Sequence, residues 1–320
     1  MNIIGPDRVV FGVDDLAACI RFLTDFGLAP VGVDATGGVF EALDGTAIEV
    51  RAKADPRLPA PLPTSTMLRQ QVYGVKAPAD LDAIEAELAR DQRVTRLADG
   101  SLEAADGDGF ALRFQVTTRR TLSMPAEKIN APGAPAQRAP NELGVYAGMP
   151  ARPRTLSHVV LFVPDQKRAA RWYCDRLKFV ITDVLEPAGP FLRPQGTDDH
   201  HTLFFIQTPE YMQGLEHLAF HMGGPTELMV GGTRLVKAGY QSFWGPGRHK
   251  FGSNWFWYFN SPLGTHFEYD ADMDKHDDSW EPRVAAMSPQ ASQMFRFESK
   301  PRWTPGAAPQ GVVEDEGTPE

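Results

Sequence analysis

Three residues with metal-binding side chains stand in separate apolar segments of the second half of the 320-residue chain. His158 lies in LSHVVLFV, His217 in LEHLAFHM and Glu268 in THFEYD. Short apolar segments of this kind indicate β-strands, and side chains alternate across a strand, so one inward residue from each could meet at a common centre. Two imidazoles and one carboxylate suit divalent iron or manganese and leave coordination positions open for other molecules.

Each of these residues also has an ordinary structural interpretation. A histidine in an apolar strand is more often a hydrogen-bonded core residue than a metal ligand. His266 shares the predicted strand face of Glu268 and is therefore a competing ligand. His221 lies on the predicted face of His217, where it would either support the site or pack in the core. The residues must therefore be judged together with the elements that position them.

The chain contains two blocks of similar pattern, which predict those elements. One block opens RVVFGVDDLAACIRFLTDFGLAPV and the other SHVVLFVPDQKRAARWYCDRLKFVIT. Each has an apolar strand, an Asp suited to cap a helix, and an amphipathic helix. The same pattern of strand and helix recurs inside each block, which gives four units of a strand, a helix and further strands. Helices beside a mixed sheet predict an α+β fold.

Only the second block carries the three ligand-type residues. At the matching places in the first block we predict Asp7, Gln70 and Arg113, within one residue of register. An arginine cannot bind a metal ion because it has no lone pair to offer. The pattern therefore predicts one metal site and one vacant counterpart.

The composition argues against several other classes of protein. A formal net charge of −9, from 32 basic and 41 acidic residues, disfavours a surface for nucleic acid or anionic membranes. The two isolated cysteines, Cys19 and Cys174, disfavour a disulfide framework and a thiolate metal site. The N-terminus lacks the pattern of a signal peptide, and no apolar run approaches the roughly 18 residues that span a bilayer. We therefore expect a cytoplasmic protein.

An ordered string of residues near the end of the second block resembles a known family. It reads Gly247-Arg248-His249, Tyr258, Pro262, Gly264 and Glu268. The string resembles the motif of type I extradiol ring-cleavage dioxygenases, in the vicinal oxygen chelate or glyoxalase–bleomycin resistance superfamily. The resemblance covers roughly residues 1–275 and is sharpest from Leu156 to Tyr269.

The resemblance implies a role for each matching residue. It makes His158, His217 and Glu268 the ligands of Fe(II), or of Mn(II) as the second choice. It makes His249 and Tyr258 the groups that orient and polarise a bound catecholate. It also implies an acid–base histidine in DDHHTLFFIQT, for which His201 fits best and His200 is the alternative.

The resemblance also implies an architecture of two domains, each made of paired βαβββ modules that form an incomplete mixed barrel around a cavity. We expect a metal-free N-terminal domain over residues 1–120, a linker over 121–153, a catalytic domain over 154–275, and a polar tail over 276–320. The tail would either fold over the pocket or extend away from it. Relatives of this type suggest a homo-oligomer, a dimer or tetramer.

The implied activity is cleavage of the ring of a catechol-type substrate with O2, in the catabolism of aromatic compounds. The aromatic residues around His249 favour a substrate with an apolar or aryl substituent, whereas Arg193, Arg248 and Arg283 are the candidate partners for a carboxylated one. Two alternatives belong to the same superfamily. One is a metal-dependent isomerase of the glyoxalase type, and the other is a non-catalytic protein that sequesters a small aromatic compound.

Overall fold

The computed structural model describes residues 1–297, which form two mixed β-sheets with helices packed against them. The first sheet has the order β2-β3-β4-β1-β5-β8-β7-β6. Its elements are β1 (Ile3–Val13), α1 (Leu16–Asp25), β2 (Ala29–Asp34), β3 (Gly37–Glu41), β4 (Ala47–Ala52), β5 (Leu68–Val75), α2 (Pro78–Leu88), β6 (Thr95–Arg96), β7 (Leu102–Ala105) and β8 (Ala111–Val116).

The second sheet repeats this order and adds one strand at each edge, giving β17-β10-β11-β12-β9-β13-β16-β15-β14-β18. Its elements are β9 (Thr155–Val163), α3 (Gln166–Leu177), β10 (Phe179–Glu186), β11 (Gly189–Pro194), β12 (Leu203–Gln207), a 3-10 turn (Glu210–Met212), β13 (Gly214–His221), α4 (Pro225–Lys237), β14 (Ser242–Arg248), β15 (Trp255–Asn260), β16 (His266–Ala271), β17 (Arg283–Ala286), α5 (Pro289–Ser292) and β18 (Phe295–Arg296). The predicted α+β fold of paired modules is confirmed.

The helix signals of the two blocks fold as the sequence predicts. The side chain of Asp15 caps α1 by accepting from the Ala18 amide at 2.9 Å, and Asp165 caps α3 by accepting from Arg168 at 3.0 Å. A carboxylate at this position satisfies one of the free amides of the first turn. Lys178 ends α3 in the left-handed region, with φ of 59°.

Aromatic contacts join the two halves of the molecule. The ring of Phe26, just after α1, stacks on Tyr269 of β16 with centroids 4.2 Å apart, and the Tyr269 hydroxyl donates to the Phe26 carbonyl. Phe22 of α1 meets Phe267 edge to face at 5.1 Å. The first half therefore supports the back of the strand that carries Glu268.

The pairing of three central strands brings the predicted ligands together. In β13, Ala219 lies opposite His158 of β9 on one side and opposite Glu268 of β16 on the other. His217 is two residues from Ala219 and so projects from the same face. The strand register alone therefore directs all three side chains towards one point.

The same register corrects the predicted counterpart of His158 in the first half. Val72 lies between Arg8 and Arg113, as Ala219 lies between His158 and Glu268, and Gln70 matches His217. The counterpart is therefore Arg8, and the prediction of Asp7 was wrong by one residue. The aligned segments RVVFGV and HVVLFV match Arg8 with His158 in the same way, so the prediction was a register error.

The chain between and after the sheets packs in two different ways. Residues 117–154 contain no helix or strand. Within residues 283–297, β17 pairs with β10 and β18 pairs with β14 at the two sheet edges, and Met287, Ala291 and Ser292 between them line the pocket. The acidic end of the sequence, residues 298–320, lies outside the described residues. None of the helices within residues 1–297 is both long and apolar enough to cross a membrane.

Candidate metal centre

The side-chain nitrogens and oxygens of His158, His217 and Glu268 converge at the face of the second sheet. His158 Nε2 lies 3.1 Å and His217 Nε2 lies 3.4 Å from Glu268 Oε2, and the two nitrogens are 3.3 Å apart. Atoms that bind one ion at right angles with bonds of about 2.1 Å lie about 3 Å apart. All three residues are buried, and Glu268 Oε1 has no hydrogen-bond partner. The donor set and the unpartnered oxygen therefore fit a divalent cation.

Hydrogen bonds behind the two histidines aim their Nε2 atoms at this centre. Ser157 Oγ lies 2.9 Å from His158 Nδ1 and donates to Asp270 at 2.8 Å, so it accepts the proton of Nδ1. His217 Nδ1 donates to the carboxylate of Glu216. Such partners fix the ring orientation and leave the Nε2 lone pair free to bind a metal.

The protonation of the site also favours a cation. Burial opposes ionisation of Glu268, but hydrogen bonds from His158 and His217 outweigh it and hold its pKa well below the usual range. Burial likewise would lower the pKa of His217, but Glu216 and Glu268 raise it to about 10. In the metal-free protein, the proton on His217 balances carboxylate charge, and an incoming metal ion replaces that positive charge.

His249 and Tyr258 form a pair beside the three residues. The Tyr258 hydroxyl lies 3.1 Å from His249 Nε2, which is itself 3.6 Å from Glu268 Oε1. The Ser292 carbonyl accepts a hydrogen bond from His249 Nδ1 at 2.8 Å, so Nε2 is the acceptor of the tyrosine proton. Burial and the nearby Glu268 hold the pKa of Tyr258 well above its usual value, so the hydroxyl stays protonated.

The two adjacent histidines lie in different places. His201 lines the cavity, with its ring centroid 4.2 Å from that of His158. His200 is fully buried behind it and does not line the cavity. Burial, followed by the neighbouring His158 and His200, holds the pKa of His201 well below its usual value. His201 is therefore a neutral imidazole that can accept a proton.

A cavity of about 420 Å³ opens above this cluster and is mostly apolar. Its wall includes Val160, Leu185, Phe191, Phe204, Trp244 and Met287. Within the part of the chain that the structure describes, no Lys or Arg lines it. Arg193 instead donates to Asp278, Arg248 to Asp272 and Arg283 to Asp183, so the three predicted candidates for a carboxylate partner are engaged elsewhere.

The other predicted residues lie around the site rather than in it. His266 donates from Nδ1 to Glu216 and stacks on Phe243 at 3.7 Å, so it is outside the convergent group. His221 binds Asp270, the carboxylate that also holds Ser157, and so supports the environment of His158.

Two cavity residues are not evident from the sequence. Glu216 follows Leu215 at an irregularity in β13, and without that irregularity it would face away from His217. Asn254 is 1% exposed and lines the cavity with both amide atoms unpartnered, so it offers hydrogen bonds to a bound molecule. The alternation of side chains along a strand is the sequence signal that could have identified cavity residues, and it indicates neither Glu216 nor Asn254.

Comparison with known proteins places the chain in a family. Residues 155–269 match the model of the Glyoxalase/Bleomycin resistance protein/Dioxygenase superfamily. The chain is 30% identical over 274 residues to metapyrocatechase 2 of Cupriavidus necator, covering 84% of this chain and 81% of that protein.

Solved structures share the fold. The Mn(II)-bound glyoxalase of Novosphingobium aromaticivorans superposes with a TM-score of 0.71 at 24% identity, covering 91% of this chain and 90% of that one. The 2,3-dioxygenase LapB of Pseudomonas sp. KL28 gives 0.70 at 19% identity, covering 89% and 98%. The chain belongs to the Glyoxalase/Bleomycin resistance protein/Dioxygenase superfamily and, within it, to the extradiol ring-cleavage dioxygenases. The predicted resemblance is confirmed.

Proposed function

We propose that this protein is an Fe(II)-dependent extradiol dioxygenase that cleaves the ring of a catechol bearing an apolar substituent. One observation carries the proposal. His158, His217 and Glu268 converge at the base of an apolar cavity, and His201 and Tyr258 border the same point. Such a constellation can bind a diol, hold its protons and exclude water.

The metal would be held by His158, His217 and Glu268. When bound, it would supply open positions for the two vicinal oxygens of a catechol and for O2, and a route for electron density between them. Fe(II) is the first choice because this ligand set is typical of non-haem iron oxygenases, and Mn(II) is the second.

His201 is the proposed acid–base residue. It is neutral and faces the cavity beside His158, so it can accept a proton from a catechol hydroxyl and return it later. General acid–base help of this kind contributes on the order of 10²–10⁴ in rate.

His249 and Tyr258 are the proposed orienting groups. Tyr258 keeps its proton and can turn it from His249 Nε2 to a substrate oxygen, while the contact with His249 holds the hydroxyl beside the site. Donors preorganised in a buried site stabilise negative charge that develops on oxygen.

The apolar wall is the reason for the proposed substrate class. A carboxylate in this cavity would find no basic residue among the described lining residues and would lose its hydration. An alkyl or aryl substituent would instead gain from burial.

The test is anaerobic loading of the protein with Fe(II) or Mn(II), followed by addition of catechols in oxygenated buffer. We expect oxygen uptake, a yellow ring-cleavage chromophore, and a higher rate with Fe(II). The protein without added metal is the control. Absence of uptake with every catechol would refute the proposal. Full turnover by H201A would refute the acid–base role alone.

A glyoxalase-type isomerase is the second candidate, because Glu216 places another carboxylate at the cavity. Glu216 is already bound to both His217 and His266, which favours a supporting role. Conversion of a hemithioacetal without oxygen uptake would support the isomerase. Stoichiometric binding of aromatic compounds without any turnover would instead support a sequestering protein.

We also propose that residues 1–120 and 154–275 form two domains, that the protein is cytoplasmic, and that it is a homo-oligomer. The proposed domain limits are supported by the two repeated sheets and by the stretch without helix or strand between them. Sedimentation velocity tests the oligomer, and a single species at the monomer mass of 35.3 kDa would contradict it.

A further inference from the structure

A line of buried polar residues runs from the back of the acid–base candidate to the edge of the sheet. His200 Nδ1 lies 2.9 Å from His201 Nδ1, and His200 Nε2 lies 2.8 Å from Asp183 Oδ2. His200 and Asp183 are both fully buried and outside the cavity wall. Neither residue has a role in the proposed mechanism.

The far side of Asp183 is held by Arg283 of β17. The Arg283 amide donates to Oδ1 at 2.8 Å, and its guanidinium donates to Oδ2 at 2.5 Å. The carboxylate is therefore fixed in orientation, with Oδ2 directed at His200. Burial would raise the pKa of Asp183, but the hydrogen bonds from His200 and Arg283 outweigh it and lower the pKa, so the group is ionised.

The direction of every hydrogen bond in this line follows from the ionised Asp183. A carboxylate only accepts, so His200 must donate from Nε2. Burial lowers the pKa of His200, which keeps the ring neutral and makes Nδ1 an acceptor. His201 must then donate from Nδ1, which leaves its Nε2 as the atom with a free lone pair.

We propose that Asp183 and His200 are positioning residues that hold His201 in the tautomer whose Nε2 can act as a base. The inference rests on the acid–base role proposed for His201. A free neutral histidine favours the opposite tautomer, with the proton on Nε2, so this base requires its hydrogen-bonded support. The logic is that of an aspartate holding a catalytic imidazole in the productive tautomer.

The substitution that tests the direction of the line is D183N. An asparagine whose oxygen stays on Arg283 would present its NH2 group to His200 Nε2. The donors and acceptors would then reverse along the line, and His201 would carry its proton on Nε2. We expect kcat to fall by roughly 10²–10⁴, with the KM for catechol and the bound metal changed by less than about twofold.

The tautomer of His201 can be measured by NMR, without any enzymatic turnover. The chain contains 8 histidines, so ring-15N labelling and long-range 15N–1H spectra of the protein loaded with diamagnetic Zn(II) give an assignable set. We expect His201 protonated on Nδ1 in the wild type and on Nε2 in D183N. The control is H276F, which keeps an aromatic ring on Trp280 and removes a histidine that neighbours His200 without bonding to His201. It should leave the tautomer and kcat unchanged.

A second pair of variants serves if D183N does not fold. H200F removes the acceptor for His201, whereas H200N can restore it with an amide oxygen. We expect H200N to retain more of kcat than H200F and to keep the Nδ1 proton on His201.

The outcomes separate this inference from the function on which it rests. A wild-type His201 that carries its proton on Nε2 would overturn the positioning role. So would a His201 tautomer that is unchanged in D183N and is the same in H200F as in H200N. A tautomer that reverses in D183N while kcat is unchanged would uphold the positioning and overturn the acid–base role of His201.

Discussion

The apolar wall of the cavity predicts a steep dependence of catalysis on the substituent of the catechol. The test uses a series of substrates with increasing apolar substituents: catechol, 4-methylcatechol, 4-ethylcatechol and 4-isobutylcatechol. Each buried methylene contributes about 0.8 kcal/mol, which corresponds to about fourfold in kcat/KM. The cavity of about 420 Å³ has room for the larger substrates, so kcat/KM should continue to rise through the whole series.

The matched comparison is 3,4-dihydroxyphenylacetate, which has the shape of 4-isobutylcatechol and carries a negative charge. Desolvating a charged group without a partner costs at least about 2–3 kcal/mol, so kcat/KM should fall by about 10² or more. Initial rates of oxygen uptake under Fe(II)-loaded conditions give both values. Equal or better use of the acid than of the alkyl catechol would refute the reasoning from the cavity wall.

Three further predictions concern single residues. Y258F removes the donor beside the metal centre and should lower kcat about 10–10³-fold with bound metal unchanged, as steady-state kinetics and metal analysis would show; unchanged kcat would contradict it. Burial raises the pKa of Asp106 from 3.8 to about 7, so the folded state binds more protons than the unfolded state between these values. The free energy of unfolding should therefore fall by about 3 kcal/mol as pH rises from 4 to 7, and urea titrations of D106N should lack this fall. G232A places a Cβ 2.0 Å from the Trp257 ring and should lower the free energy of unfolding by about 1–3 kcal/mol, whereas the neighbouring G231A, whose Cβ has more space, should cost less.

The metal-binding group was predictable because it depends on the simplest property of strands. His158 and Glu268 flank the same residue of β13, and His217 is two positions away, so alternation and the internal repeat together indicate convergence. The position of His201 in the cavity could not be derived from alternation, since His200 is its direct neighbour. It came from the resemblance to the family, and the tertiary packing of the two rings distinguishes them.

The failures of sequence reasoning have identifiable physical causes. Glu216 joins His217 because it lies at an irregularity in the pairing of β13, which leaves no sequence signal. The choice of Asp7 over Arg8 was a register error of one residue, since RVVFGV and HVVLFV align Arg8 with His158. Residues 283–297 contain strands of only four and two residues. Such strands form because sheet edges accept them, and periodicity in so short a segment is too weak to predict them.

The most direct test of this account is the binding of Fe(II) under anaerobic equilibrium dialysis by the wild type and two matched variants. E268Q removes the charge from the converging group, and E103Q removes a strand carboxylate of the first sheet, where it binds Gln70. We predict one tightly bound ion per chain for the wild type and E103Q, and an affinity at least about 10²-fold lower for E268Q. Unchanged Fe(II) affinity in E268Q would contradict it.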